Sequence, residues 1–484
     1  MSFHVPLIIR GRRIDDARVE FAGRNGRVRY TTPDVKKHLA ELPLASPAKL
    51  SDQYALKFEE VLDYLHALGQ ELSFARNPHL QEAYELSILT SGLGRDAVRH
   101  FYASLSTLFE RNFVRELAEN AIGTRYLEDW VPRRLQSGCL CNIRAYGARA
   151  LHVLAGNVPI PSAMGVIRNA ITRSDAVFKT PSNDPMTAAA IAQTMIDMAP
   201  DHPLTRHLTV AHWKGGDPAV EEFLYQPEHF EKIIAWGGQA SIQHISRYIQ
   251  PGIDLITMDP KLSSSIVGRA AFETESTMRE AAERLALDIG YFNQQACANS
   301  RVVYVETGTG AAGLERANLF GRLVYEAIQA LPPAASAAAE RMSTELLEEV
   351  QSLRLASDAH KVIGGGLEGA VIVSQIDEPV DFAALLNDRV ANLVPVEDLE
   401  VPIQSVNAYT QTIGVYPEAV KTAIRDRLAL NGAQRVVSLG YACKAAMAGP
   451  HDGMEPLRRM CKWVTDETND PAVVPLLSGV SSDV

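Results

Sequence analysis

Of five cysteines, at positions 139, 141, 297, 443 and 461, Cys297 has the surroundings a reacting thiol needs. It sits in Phe292-Asn293-Gln294-Gln295-Ala296-Cys297-Ala298-Asn299-Ser300-Arg301, a turn of polar and small residues. A thiol in such a turn, between two buried elements, can attack a carbonyl carbon and carry an acyl group. The same sequence also suits a buried cysteine acting as a small hydrophobe. Three further stretches could serve such chemistry. In Ala155-Gly156-Asn157-Val158-Pro159, Asn157 can offer an amide N–H to a developing oxyanion, or can be a plain turn residue. In Val177-Phe178-Lys179-Thr180-Pro181-Ser182-Asn183-Asp184-Pro185, Lys179 can bind a ribose hydroxyl or phosphate, or can snorkel from a strand end. In Ile234-Ala235-Trp236-Gly237-Gly238-Gln239-Ala240-Ser241, Gly237 and Gly238 allow close backbone approach ahead of a helix N-terminus that favours anions. A tight turn explains that pair equally well.

The elements that must position these residues follow from periodicity. Short strands fall at Val5–Ile9, Val19–Phe21 and Val28–Tyr30, and helical spacing of Phe58, Val61, Leu62, Leu65 and Leu68 opens a helical layer over 50–130. That layer reads as core, or as the lining of an acyl tunnel. From about Asn142 strands and helices alternate. Strands are expected at 143–146, 150–155, 176–179, 208–211, 233–236 and 255–257, and helices at 162–171, 186–198, 218–224 and 240–248. That is the pattern of βαβ units and a parallel sheet. A second α/β unit follows. It has strands at 265–267, 302–305, 370–374, 403–408, 414–416 and 435–438, and helices at 275–290, 314–331, 336–355 and 417–430. Gly364–Gly366 is read as a loop, and the tail from Pro471 as an extended arm or a frayed end.

Bulk properties narrow the function class. With 484 residues, 46% hydrophobic and 22% charged, the chain can bury a core and form two or three domains. A net charge of -11, with no basic run, argues against nucleic acid as a partner. No window suits a membrane span or a signal peptide, and the scattered cysteines suggest a reducing cytoplasm. Cys139-x-Cys141 lacks a second ligand pair, so no metal is expected. Gly308-Thr309-Gly310-Ala311-Ala312-Gly313 fits GxGxxG, but the acidic residue about twenty positions on, Glu326, falls in a helix. The run is therefore read as a helix entry rather than a dinucleotide site.

Asn157-Val158-Pro159, Lys179 to Pro185, Trp236-Gly237-Gly238 and Gln295-Ala296-Cys297 stand in the order of the aldehyde dehydrogenase superfamily pattern. Within it, the chain most resembles LuxC-like long-chain acyl-CoA reductases. The resemblance rests on Ala148-Arg149-Ala150-Leu151-His152-Val153-Leu154-Ala155-Gly156-Asn157-Val158-Pro159 and on Gly449-Pro450-His451-Asp452-Gly453 with Lys462-Trp463-Val464. It implies an aldehyde dehydrogenase-like α/β fold: a Rossmann-type cofactor domain within 1–260, an α/β catalytic domain at 261–445, and a segment at 446–484 that packs back or bridges subunits. It implies that Cys297 and Asn157 are catalytic, that Lys179, Ser182, Gly237 and Gly238 bind the cofactor, and that the chain forms a homo-oligomer.

Two departures sharpen the expectation. Hydrolytic members activate water with the glutamate of a Glu-Leu-Gly-Gly-Lys stretch; here Thr257-Met258-Asp259-Pro260-Lys261-Leu262-Ser263-Ser264-Ser265 has none, and Asp259-Pro260 reads as a turn. A site without that base preserves a thioester. Ser182 replaces the glutamate that NAD-specific members use for ribose, which favours NADPH. The expected function is NADPH-dependent reduction of an acyl-CoA or acyl carrier protein thioester to the aldehyde, with an acyl-transferring partner protein as a further donor. The alternatives are an NAD(P)-dependent aldehyde dehydrogenase forming the acid, a cysteine acyltransferase without hydride transfer, and a non-catalytic scaffold. His451 is a candidate acid or base through its motif alone.

Overall fold

The computed structural model describes residues 3–23, 26–134, 140–258, 261–356, 358–444 and 448–468. Two seven-stranded sheets carry the molecule. In the first, Asp254–Met258, Lys232–Trp236, Arg149–Val153, Asp175–Lys179 and Leu208–Ala211 lie side by side and parallel. Leu7–Ile9 and Arg12–Ile14 extend that sheet antiparallel beyond Leu208–Ala211. Both faces are covered, so the strands are apolar along their length; Arg149–Val153 is buried at every position. Strand order reverses between Arg149–Val153 and Lys232–Trp236, which are adjacent although two strands intervene in sequence. The carboxyl ends of such a pair open a crevice where open α/β sheets take ligands. Asn157 follows the first of these strands and Gly237 the second.

The second sheet runs His360–Gly364, Ala370–Ser374, Val390–Pro395, Ser300–Val305, Leu262–Val267, Thr410–Tyr416 and Arg435–Ser438, all parallel except the first. Chain membership passes from one sheet to the other between Met258 and Leu262. A third sheet pairs Lys462–Thr468 with Leu140–Tyr146 and Val131–Arg134. The helical layer from Phe58 to Glu128 packs on the first sheet, and Leu62, Leu65 and Leu68 are fully buried there as core. Among the described residues no helix is long and apolar enough to cross a membrane.

Several sequence expectations are corrected. Residues 403–408 do not form a strand; Glu400–Ser405 is a helix, with Pro402 in its first turn, where a missing N–H costs nothing. The helix expected over 336–355 begins only at Thr344, and Ser343 Oγ accepts from Leu346 N (3.2 Å) at its start. The preceding backbone is used elsewhere: Ala335 O accepts from Phe292 N, and Ala337 N donates to Asn293 Oδ1. His360–Gly364 is an edge strand ending in the expected glycine loop, and Val390–Pro395 is a fully buried central strand. Neither was legible, the second because a continuous apolar run has no period to read. Cys139, Asp259-Pro260 and the tail from Pro471 lie outside the described residues.

The strand that delivers Lys179 is anchored at its other end by charge. Asp175 Oδ2 accepts from Arg10 Nη2 (2.8 Å), and Asp175 Oδ1 is 2.9 Å from His207 Nδ1. His207 Nε2 is 2.8 Å from Asp52 Oδ1. Burial pulls the His207 pKa down, but the two carboxylates outweigh it and hold it above the ordinary 6.5. A pKa raised on folding means the folded state keeps the proton more tightly. The stabilisation is complete below 6.5 and fades as pH climbs through the folded value. Urea midpoints measured across pH should show the largest gap between wild type and His207→Gln in mild acid, narrowing towards alkaline pH.

Candidate active site

The helix Glu275–Gly290 starts under a Thr274 cap and ends at Gly290, where an added Cβ would lie 2.6 Å from Leu331 Cδ1 and force that side chain to move. The chain then turns through Phe292, Asn293 and Gln294 at φ 59°, 49° and 63°. Three left-handed non-glycine residues cost about 1–2 kcal/mol each. Side chains offset this cost. Gln294 is fully buried, and its Nε2 donates to Ser300 O and Val390 O (2.9 Å each) while its Oε1 accepts from Val390 N (2.9 Å). Asn299 Oδ1 accepts from Ala296 N (2.9 Å), and its Nδ2 faces the Asp288, Ile289 and Tyr291 carbonyls at the helix end. Phe292 packs on Phe101 of the helical layer, ring centroids 4.7 Å apart.

This turn places Cys297 just before Ser300–Val305, at the amino end of a strand. Ser263, near the start of a neighbouring strand, donates from Oγ to Cys297 O (2.7 Å) and accepts from Thr412 N (3.1 Å). Gln411, at the start of Thr410–Tyr416, has its Nε2 3.0 Å from Cys297 Sγ and 2.6 Å from Asp452 Oδ1. Burial pushes the Cys297 pKa up, and the Asp452 charge adds to this; Gln411, Arg301 and the Cys297 amide pull the other way. Burial and the Asp452 charge thus both favour the thiol over the thiolate. Its neighbour Cys443, with Sγ 3.2 Å from Asn299 Nδ2, is also pushed up by burial.

Asn157 reaches this turn from the first sheet. Its Nδ2 donates to Gln295 O (3.1 Å), two residues before Cys297, and one N–H of the amide remains for another acceptor. Gln295 Nε2 in turn donates to Asp388 Oδ1 (2.9 Å), whose pKa burial pushes up to about 6. The carboxyl ends of the first sheet and the amino ends of the second thus meet at one place.

Lys179 ends the strand Asp175–Lys179 and Ser182 follows it, while Gly237 and Gly238 follow the strand Lys232–Trp236, so all four stand at carboxyl ends of the first sheet. Lys179 Nζ lies 5.8 Å from the Trp213 ring centroid, and burial brings its pKa down to about 8 against the pull of Glu221. None of the ion pairs among the described residues involves it. Ser182 is half-buried, three residues on. Gly156 is packed so tightly that an added Cβ would come within 2.3 Å of Asn183 Oδ1 and 2.5 Å of Pro181 Cγ. Gly238 caps the helix Gln239–Ser246 without a side-chain cap and has open space around it. A half-buried lysine and an uncapped helix start suit a phosphorylated ligand.

The GxGxxG run follows the second-sheet strand Ser300–Val305 and opens the helix Ala311–Gln329. Glu397 Oε2 already accepts from Thr309 N (3.1 Å), so a carboxylate stands where a phosphate would have to sit. His451 sits edge-on to Trp236, centroids 5.4 Å apart, with Nε2 3.6 Å from Asp452 Oδ1. In that motif it is Asp452 that bonds to a partner of the thiol. Gln411 and Ser263 were missed, because single polar residues near strand starts carry no spacing signal, and Gln294 and Asn299 were seen only as part of the turn, since their partners lie elsewhere in the fold. Among the described residues no group of three or more His, Cys, Asp or Glu is placed to hold a metal.

Residues 54–463 match the family described as acyl-CoA reductase (LuxC). A long-chain acyl-protein thioester reductase from Photorhabdus laumondii is 30% identical over 363 residues, 73% of this chain and 70% of that protein. A protein of the same description from Vibrio harveyi is 25% identical over 482 residues, 96% and 94% of the two chains. In fold the chain is similar to an NADP-dependent glyceraldehyde-3-phosphate dehydrogenase from Bacillus halodurans, complexed with NADP (TM-score 0.75, 13% identity, 96% and 99% covered). It is also similar to lactaldehyde dehydrogenase from Escherichia coli (TM-score 0.71, 14% identity, 97% and 100% covered). These likenesses establish an aldehyde dehydrogenase fold.

Replacing Gln294 by Met keeps the volume but strands two carbonyls and one N–H in the interior. The loss should be about 3 kcal/mol or more, read as a lowered urea midpoint.

Proposed function

The chain belongs to the acyl-CoA reductase (LuxC) family, and on that premise we propose that it reduces an acyl thioester to the aldehyde with NADPH, through an acyl group held on Cys297. The observation that carries the proposal is the meeting of Asn157 with the Cys297 turn. It brings a thiol and a free amide N–H to the mouth of a crevice suited to a nucleotide.

Cys297 Sγ attacks the thioester carbonyl, and the bond to the carrier sulfur breaks. The carrier leaves as a thiolate and takes up the proton that Cys297 gave. The second Asn157 N–H and the Cys297 N–H stabilise the oxyanion of this step, an interaction worth roughly 3 kcal/mol per donor. NADPH, when bound, supplies hydride. Lys179, Ser182 and the Gly237-Gly238 turn hold the nucleotide. The electron pair of the S–C bond returns to Cys297 Sγ as the aldehyde leaves.

The carboxylate bonded nearest the thiol, Asp452, is occupied by Gln411 and stands behind it. That favours an acyl group kept for hydride over one lost to water. Ser182 places no negative charge beside Lys179, which favours a 2′-phosphate. Relatives described as long-chain acyl-protein thioester reductases support a protein-bound acyl donor beside acyl-CoA. The outer strand Arg435–Ser438 presents an edge on which a second copy can pair, in keeping with a homo-oligomer. A free thiol nucleophile suits the reducing cytoplasm.

The proposal is tested by following NADPH oxidation and aldehyde formation over a panel of acyl-CoA and acyl-carrier-protein chain lengths. Wild type should form aldehyde, and Cys297→Ser should lose at least about 1,000-fold in kcat. Rapid formation of free acid from aldehyde without a thiol acceptor would overturn it. Ser182→Glu should raise KM for NADPH about 10-fold or more while sparing NADH, by like-charge repulsion. Steady-state kinetics with both cofactors measures this.

A further inference from the structure

We propose that Gln411 is a further catalytic residue, donating to Cys297 Sγ whenever the sulfur carries charge, and that Asp452 is the positioning residue that sets which end of the Gln411 amide faces it. The inference rests on Cys297 being the nucleophile, as proposed above.

Gln411 is 6% exposed, and the Asp452 side chain is 3% exposed. One nitrogen, Gln411 Nε2, lies 3.0 Å from Cys297 Sγ and 2.6 Å from Asp452 Oδ1. An amide can be turned either way, and only its partners fix the choice. An ionised carboxylate only accepts. Turned over, the amide would set Oε1 against Asp452 Oδ1, acceptor against acceptor, in a buried site. Asp452 therefore demands the NH2 group, and the second hydrogen of that group falls to the sulfur. Asp452 is itself held in a tight turn: it lies at φ 50° in the segment where His451 N and Met454 O, and Met454 N and His451 O, are bonded at 2.8 and 3.0 Å. The motif near the C-terminus thus acts on the thiol through Gln411, the second residue of the strand Thr410–Tyr416, 41 positions earlier.

The two members of the pair act on the sulfur with opposite sign. The Gln411 N–H favours thiolate, and the Asp452 charge disfavours it. The resting site keeps the thiol protonated and has a donor already in place for the charge that develops. Sulfur becomes negative twice: when Sγ gives up its proton on attack, and when it takes back the S–C bonding pair as the aldehyde departs. A donor fixed beforehand needs no reorganisation at either moment. Other groups around the sulfur come from every neighbouring element. They are His451 on the Asp452 turn, Arg435 on Arg435–Ser438, Cys443 after it, Arg301 on Ser300–Val305, Asp388 bonded to Gln295, and Asp288 behind Cys443.

The test is the pH dependence of Cys297 alkylation by iodoacetamide, followed on the Cys297 peptide by mass spectrometry, without substrate or cofactor. Gln411→Met should raise the midpoint by about one unit, and Gln411→Glu by more. Asp452→Asn removes the charge while leaving an oxygen to accept from Gln411, and should lower the midpoint by about one unit. In steady-state assays Gln411→Met should lower kcat about 10-fold or more at unchanged KM for the thioester. Opposite shifts cannot arise from general loosening, which would move both variants the same way. Shifts of the same sign, or a midpoint in Gln411→Met within about 0.3 unit of wild type, would overturn the inference. If the midpoints shift as stated but wild type makes no aldehyde, the proposed reaction fails and the inference about the thiol stands.

Discussion

The side chain of Gln294 serves as one more stretch of backbone in the second sheet. It bonds to Ser300 on one strand and to both polar groups of Val390 on the next, filling the place where two parallel strands would otherwise leave buried groups unpaired. That contact holds three successive left-handed residues against their intrinsic preference. The strain is placed where it is useful. It leads Gln295, Ala296 and Cys297 to the amino end of Ser300–Val305, where Asn157 from the neighbouring sheet bonds to Gln295 O.

The reach comes from Asn157. The first sheet brings it to the carboxyl side of a strand-order reversal, where open α/β sheets leave a crevice. The second sheet offers its amino ends to the same crevice. Each sheet provides half of the proposed site: one a lysine, an uncapped helix start and an amide, the other a thiol with its hydrogen-bond donors. The bond from Asn157 Nδ2 to Gln295 O joins the two sheets at this point.

Electrostatics at the sulfur are set by burial first. A thiol in these surroundings stays neutral until something compensates its charge, and the compensating group here is a neutral amide rather than a cation in direct contact. Neutral donors in a buried site stabilise charge when it appears without creating a standing thiolate open to oxidation. The carboxylate close by is spent on orienting that amide.

The sequence by itself determined the α/β architecture and the alternation of elements, because these depend on local periodicity and on residue types at turns. Leu208–Ala211, Pro218–Leu224, Glu275–Gly290, Ala370–Ser374 and Arg435–Ser438 fall where the pattern puts them. The resemblance pointed to Asn157 and Lys179, and the structure puts both at the carboxyl side of first-sheet strands. What only the tertiary structure decided are the contacts between residues far apart in the chain: Gln411 on Cys297, 114 positions away, Gln294 on Val390, 96 away, and Asn157 on Gln295, 138 away. The buried strand Val390–Pro395 and the helix Glu400–Ser405 belong to the same group, since burial on all sides and a proline-led first turn leave no period to read. Hydrogen bonds of this kind depend on where folded backbones bring side chains, and a single chain's local pattern holds no record of that.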